Sequence, residues 1–191
     1  MAIDRARTVR GALAGALAAG VWAAQQPLDK RIFDSDYDDV ELLGKAVTRG
    51  PGWYPAGLAL HVQNGAAFGA LYAHVAPAVP LPPWARAPLA GLLEHAGLWP
   101  LGRLVDRHHP ARNELPPLWG NRRALAQATW RHLLFGIVLG EVERRLNRPE
   151  ARAPLTYEAM VSSNGHGHLQ DAAVAAGAAS AGPAGNGERS G

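Results

Sequence analysis

Residues 50–85 read GPGWYPAGLALHVQNGAAFGALYAHVAPAVPLPPWA and contain no Asp, Glu, Lys or Arg. A second charge-free stretch, GALAGALAAGVWAAQQPL, covers residues 11–28. Apolar segments therefore lie at about 11–28, 56–79, 87–105 and 123–143. Each is close to the ~20 residues that a helix needs to cross the hydrocarbon layer of a membrane. The sequence predicts an all-α fold, a four-helix transmembrane bundle.

The flanks of these segments differ from them in composition. Residues 1–10 form a basic N-terminal flank, and residues 11–146 form the predicted four-helix membrane domain. Residues 147–191 are mostly Ala, Gly, Ser and Asn. This tail has too little bulky apolar surface to offset the entropy of ordering it, so we expect it to be flexible and disordered.

Charge and cysteine content exclude several classes of protein. The 191 residues contain no cysteine, which excludes disulfide scaffolds, Cys-ligated zinc sites and cysteine catalysis. The formal net charge is +3, and the basic residues stand in short groups beside apolar segments. A nucleic-acid-binding protein would cluster them on one element, so we expect no nucleic-acid partner. Basic residues at segment ends suit membrane boundaries, so the lipid bilayer is the expected partner.

Glycines recur at helix-packing spacing in three apolar segments. The pairs are four residues apart: Gly11 and Gly15, Gly65 and Gly69, and Gly136 and Gly140. Such pairs let two helix backbones approach closely, so we expect them to pack helices together or to form a homo-oligomer. The segments also contain a weak duplication, with Ala19–Trp22 resembling Ala96–Trp99. This pattern suggests two related helical hairpins.

A shared pattern, His-x3-Gly-x3-Gly, places His61 before the glycines of the second segment and His132 before those of the fourth. At 3.6 residues per turn, the histidine and its two glycines share one helix face. In a helix bundle, two such histidines could be the axial ligands of a b-type haem. The alternative is hydrogen bonding between helices, which we favour, so that no cofactor and no metal is expected.

Polar residues in the middle of apolar segments form a second candidate site. Glu94 and Arg131 lie near the centres of segments three and four, where pairing would reduce the cost of burying each charge. Four other residues lie at comparable depth, namely Gln63, Asn64, His95 and His132. The sequence predicts a polar layer at the centre of the bundle. Its role is either structural, which we favour, or that of an ion or proton pathway or a site for a small polar ligand.

Two local features predict smaller elements. The acidic run Asp34–Asp39 resembles the start of a calcium loop, but the sixth position is Asp39 instead of Gly and the twelfth is Lys45 instead of Glu. We therefore expect a loop or the capped start of a short helix through Val47. Pro100 should kink the third helix, because proline removes one backbone hydrogen bond.

The segments GAAFGALY at residues 65–72 and HLLFGIVLG at residues 132–140, with a Trp- and Pro-containing segment between them, resemble small bacterial inner-membrane proteins of the YagU-like kind. The resemblance covers about residues 10–146. It implies a multi-pass membrane protein without an assigned reaction, and it supplies no catalytic residues.

The sequence therefore predicts a multi-pass protein of the bacterial inner membrane, with both termini in the cytoplasm and without an assigned enzymatic activity. Three function classes remain open. They are a structural or interaction protein, a small transporter or ion-conducting protein that uses the polar layer, and a haem-binding electron carrier. A soluble four-helix bundle is the alternative fold, and cleavage of residues 11–24 as a secretory signal is a further alternative.

Overall fold

The computed structural model describes residues 4–148, and the chain is all-α over that range. The α-helices are α1 (Arg5–Phe33), α2 (Asp39–Val47), α3 (Trp53–Val75), α4 (Pro83–Leu98), α5 (Gly102–His108) and α6 (Arg122–Leu146). Short 3-10 turns follow α3 at Ala76–Ala78 and α4 at Trp99–Leu101. The predicted tail lies outside the described residues from 149 onward. Of the predicted basic flank, residues 5–10 belong to α1.

Helix α1 packs on α3 through glycines. A Cβ atom added at Gly15 would lie 1.9 Å from the carbonyl oxygen of Gly65, and one added at Gly11 would lie 2.5 Å from that of Gly69. Only glycine allows the two backbones to approach this closely. Four of the six glycines that the spacing singled out therefore form one contact inside the chain, between α1 and α3.

Helices α4 and α6 form a second packed pair. An added Cβ at Gly136 would lie 2.5 Å from the Cα of Pro88, and one at Gly140 would lie 2.9 Å from the Cβ of Ala87. Helix α1 also packs on α6, which joins the two pairs into one body. The glycine faces are thus filled from within the chain, while oligomer formation and the duplication of the two hairpins stay predictions.

Helix α2 begins where the acidic run predicted a short helix. The carboxylate of Asp38 accepts a hydrogen bond of 3.0 Å from the backbone N–H of Glu41, which caps the helix. Helix α2 ends at Val47 and packs on α3. At this contact, an added Cβ at Gly57 would lie 1.9 Å from the carbonyl oxygen of Val40.

The third apolar segment is not one continuous helix. Helix α4 ends at Leu98, a 3-10 turn contains Pro100, and α5 begins at Gly102. The proline was expected to bend the helix, and it divides the segment, because it cannot donate the backbone hydrogen bond that would continue the α-helical pattern. The predicted span 87–105 is therefore corrected to two helices separated by a turn.

The prediction of a multi-pass membrane protein is wrong. Within residues 4–148, no helix combines the length and the sustained hydropathy that crossing a membrane requires. Helix α4 has only 16 residues, and the charge-free part of α1 contains Gln25, Gln26 and Pro27, which lower its mean hydropathy. This finding overturns the four predicted spans, the predicted inner-membrane location with cytoplasmic termini, and the transporter hypothesis that depended on them.

Candidate functional site

A cavity of about 290 Å³ lies between the helices. Residues from all six helices line it, and most of the lining side chains are apolar. Its polar groups include three histidines and two carboxylates, which are His61, His95, His132, Asp39 and Glu94. A mostly apolar cavity with a few converging polar groups is the usual form of a small-molecule site.

His61 of α3 lines the cavity and is 7% exposed. Burial lowers the pKa of His61, although attraction by Asp39 and a hydrogen bond with the backbone of Ala19 oppose that shift. The ring is therefore neutral near pH 7. Its Nε2 atom is buried and has no hydrogen-bond partner among the described residues. A buried nitrogen without a partner carries an energetic cost, because it has lost its hydrogen bonds to water.

His132 of α6 contacts Glu94 of α4. Its Nδ1 lies 2.8 Å from the carbonyl oxygen of Ala128, and its Nε2 lies 3.2 Å from Glu94 Oε2. A carbonyl oxygen only accepts, so Nδ1 carries a hydrogen. His132 and Glu94 form a pair that joins α6 to α4 at the cavity wall.

His95 lies beside this pair, with its ring centroid 4.6 Å from that of His132. Burial and the nearby His132 lower the pKa of His95 to about 4. Thr129 donates its hydroxyl hydrogen to the carbonyl of Leu125 and accepts from His95 Nε2 at 3.0 Å. His95 is therefore neutral near pH 7, with its hydrogen on Nε2.

Trp22 of α1 connects the histidines to the acidic side of the cavity. Its ring makes edge contacts with the rings of His61 and His132, at centroid distances of 5.1 and 4.7 Å. Its indole N–H donates to Asp39 Oδ2 at 3.1 Å. The indole is thus fixed both by its ring contacts and by its polar end.

Asp39 belongs to a buried cluster of charged side chains. Arg131 of α6 is 0% exposed, and its Nε and Nη2 donate to the two oxygens of Asp29 at 2.6 Å each. Its Nη1 donates to Asp39 at 2.7 Å. Burial opposes the charge, but hydrogen bonds and attraction from both carboxylates outweigh it and raise the pKa of Arg131.

Tyr37 completes the cluster. Its hydroxyl donates to Asp39, and its backbone carbonyl accepts from Arg131 Nη2 at 3.1 Å. Burial and the charge of Asp39 raise the pKa of Tyr37 well above its ordinary value, so the hydroxyl stays protonated. Asp39 therefore accepts hydrogen bonds from the side chains of Trp22, Tyr37 and Arg131.

The structure corrects the predicted pairing inside the polar layer. Arg131 pairs with Asp29 and Asp39 instead of Glu94, and Glu94 pairs with His132. Gln63 and Asn64 are exposed, and of these two only Asn64 lines the cavity. The predicted layer is thus divided into the cluster of Arg131, Asp29 and Asp39 and the pair of His132 and Glu94.

The haem hypothesis gains no support from this geometry. The indole of Trp22 contacts both His61 and His132, so a haem held between these two rings would have to displace it. Both nitrogens of His132 already have protein partners. Within residues 4–148, no group of three or more His, Asp or Glu side chains has the arrangement of a metal site.

Sequence reasoning missed the part of the site that α1 supplies. Trp22, Gln26 and Asp29 are all buried on α1. Their spacing of four and three residues places them on one helix face, which is the signal that could have identified them. The predicted apolar segment ended at residue 28, so Asp29 fell outside it.

Comparison of the chain with protein families, with curated proteins and with solved structures finds no match. The resemblance to YagU-like proteins therefore stays a prediction.

Proposed function

We propose that this protein binds a small, largely apolar molecule that carries a hydrogen-bond donor, and that the cavity between the helices is the binding site. The observation that carries this proposal is the Nε2 atom of His61, which is buried on a cavity-lining side chain without a partner. A ligand that donates to this atom would remove the cost of leaving it unpaired.

The chemistry of His61 indicates a donor on the ligand. We infer that the ring hydrogen of neutral His61 lies on Nδ1, so that the buried Nε2 carries a lone pair. A hydroxyl or amine hydrogen on the ligand matches this lone pair.

The size and lining of the cavity support a small apolar body. A volume of about 290 Å³ is at the lower end of the range for ligand pockets. The ring centroids of Phe68 and Phe135 lie 5.5 Å apart, and both side chains line the cavity. An aromatic or branched aliphatic group would bury its surface against them.

The test compares two probes that differ only in a donor hydrogen, 2-phenylethanol and its methyl ether. Calorimetric titration of the full chain should give tighter binding of the alcohol. In His61→Leu the two affinities should become equal, because the acceptor is gone. His108→Leu is the matched control, since His108 is exposed and does not line the cavity.

The long-range ¹H–¹⁵N spectrum of the imidazoles gives a second readout. The Nε2 signal of His61 should shift on addition of 2-phenylethanol, because a nitrogen lone pair that accepts a hydrogen bond changes its chemical shift. Absence of binding by both probes would overturn the proposal. Equal affinities for the two probes in the wild-type protein would overturn the assigned role of His61.

A further inference from the structure

Five aromatic side chains line the cavity: Trp22, Tyr37, Phe68, Trp99 and Phe135. Among the described lining residues there is no Lys or Arg. The faces of aromatic rings attract cations, and Trp attracts them most strongly. An aromatic lining without a competing basic side chain is typical of sites for organic cations.

The charged cluster beside the cavity has a net negative charge. Arg131 is the one cation in direct contact with both Asp29 and Asp39, so this described cluster of three charged groups retains one net negative charge. Asp39 itself lines the cavity. A positive ligand would therefore enter a region of favourable potential, whereas an anion would be repelled.

Glu94 adds a second negative group at the cavity wall. Its side chain is 35% exposed, and its Oε2 lies 3.2 Å from Nε2 of His132. The other two lining histidines, His61 and His95, are neutral near pH 7. No further positive side chain from the described lining competes for the Glu94 carboxylate.

We propose that the ligand is an organic monocation, a protonated amine on a small apolar body. This inference rests on the proposed function and names the class of its ligand. The ammonium N–H donates to His61 Nε2, its charge lies in the negative potential beside Asp39, and the aromatic rings surround the apolar body. Trp22 contacts the ring of His61 and donates its indole N–H to Asp39, so His61 and Asp39 are neighbours of the same indole.

The experiment compares three probes of similar size and different charge on the full chain near neutral pH. They are 2-phenylethylamine, which is a cation, 2-phenylethanol, which is neutral, and phenylacetate, which is an anion. Calorimetry should give an amine affinity at least about tenfold higher than that of the alcohol, about 1.4 kcal/mol. Phenylacetate should bind at least about tenfold more weakly than the alcohol.

Variants then identify the source of the preference. Glu94→Gln should lower the amine-to-alcohol affinity ratio, and the preference that remains is that of the cluster of Asp29, Asp39 and Arg131. Glu141→Gln is the control, because Glu141 pairs with Arg144 and Arg145 at the surface and does not line the cavity. It should keep the wild-type ratio. If Glu94→Gln fails to fold, the three-probe series on the wild-type protein still decides the preference for charge.

The outcomes separate this inference from the proposed function. If 2-phenylethanol binds and 2-phenylethylamine binds no more tightly, the cation inference is overturned and the proposed function stands. If phenylacetate binds most tightly, the assigned charge of the cavity is wrong. If none of the three probes binds, the proposed function fails, and the cation inference fails with it.

Discussion

The substitution Gly15→Ala tests the contact on which the arrangement of α1 and α3 depends. The added Cβ would lie 1.9 Å from the carbonyl oxygen of Gly65 and 2.8 Å from its carbonyl carbon. Both atoms belong to the backbone, so no side-chain rotation can relieve the clash. Restoring ordinary van der Waals distance requires the two helices to separate locally by about 1.5 Å.

The expected cost follows from that separation. A gap of this size removes about half of the dispersion energy between the facing atoms, and overpacking of a core costs about 1–3 kcal/mol or somewhat more. We take the upper end, because the clash is with backbone. Alanine favours the helix by about 1 kcal/mol relative to glycine, which offsets part of this cost. The free energy of unfolding should therefore fall by about 2–3 kcal/mol.

Urea unfolding of the full chain, followed by circular dichroism at the helix band, measures this change. Gly20→Ala is the matched control, because an added Cβ at Gly20 of the same helix meets nothing within 4 Å. It should raise the free energy of unfolding by about 0.5–1 kcal/mol. If Gly15→Ala is as stable as Gly20→Ala, the close contact of α1 and α3 is refuted.

Three further predictions follow from buried polar groups and a helix cap. The pKa of His95 lies at about 4 instead of the ordinary 6.5, so the unfolded chain binds the extra proton between these values. The free energy of unfolding should therefore fall by up to about 3 kcal/mol as the pH drops from 6.5 to about 4. His95→Gln should reduce this dependence of the free energy of unfolding on pH, whereas the control His108→Gln should keep it. Asp29→Asn should cost about 3–5 kcal/mol in urea unfolding, since it leaves Arg131 buried with one carboxylate, and a loss below about 1 kcal/mol would contradict the assigned pairing. Asn121→Ala removes a side chain that accepts from two backbone N–H groups at the start of α6, and should lower thermal stability by about 1 kcal/mol.

Much of the fold could be predicted, because the relevant information is local. Apolar segment lengths gave the approximate positions of α1, α3 and α6, and the acidic run predicted the start of α2. Glycine spacing identified Gly11, Gly15, Gly65 and Gly69 as contact positions. Spacing alone does not identify the partner of a glycine face, so the alternatives of contact within the chain and contact between copies remained open.

The pairing of buried charges could not be predicted from position along the chain. Arg131 and Asp29 are separated by 102 residues, and their contact depends on how α1 and α6 pack. Glu94 was chosen as the partner because it lies at a similar depth in the adjacent segment. The structure places His132 beside Glu94, and α2 brings Asp39 to Arg131. The membrane prediction failed for a different reason, since absence of charge was given more weight than the uncharged polar side chains inside the segments, such as Gln25 and Gln26 in α1 and Gln63 and Asn64 in α3.

The ion cluster and the cavity depend on the same residue, Asp39. It begins α2, and it holds Trp22 of α1 and Arg131 of α6 by hydrogen bonds. An apolar replacement of a buried ion cluster is often neutral for stability, so stability alone does not account for burying these charges. Their directional hydrogen bonds fix the indole against His61 and His132, and a negative charge remains at the cavity wall. The cluster therefore supplies two properties that a cation site needs, a fixed aromatic wall and a negative potential, and apolar packing would supply neither.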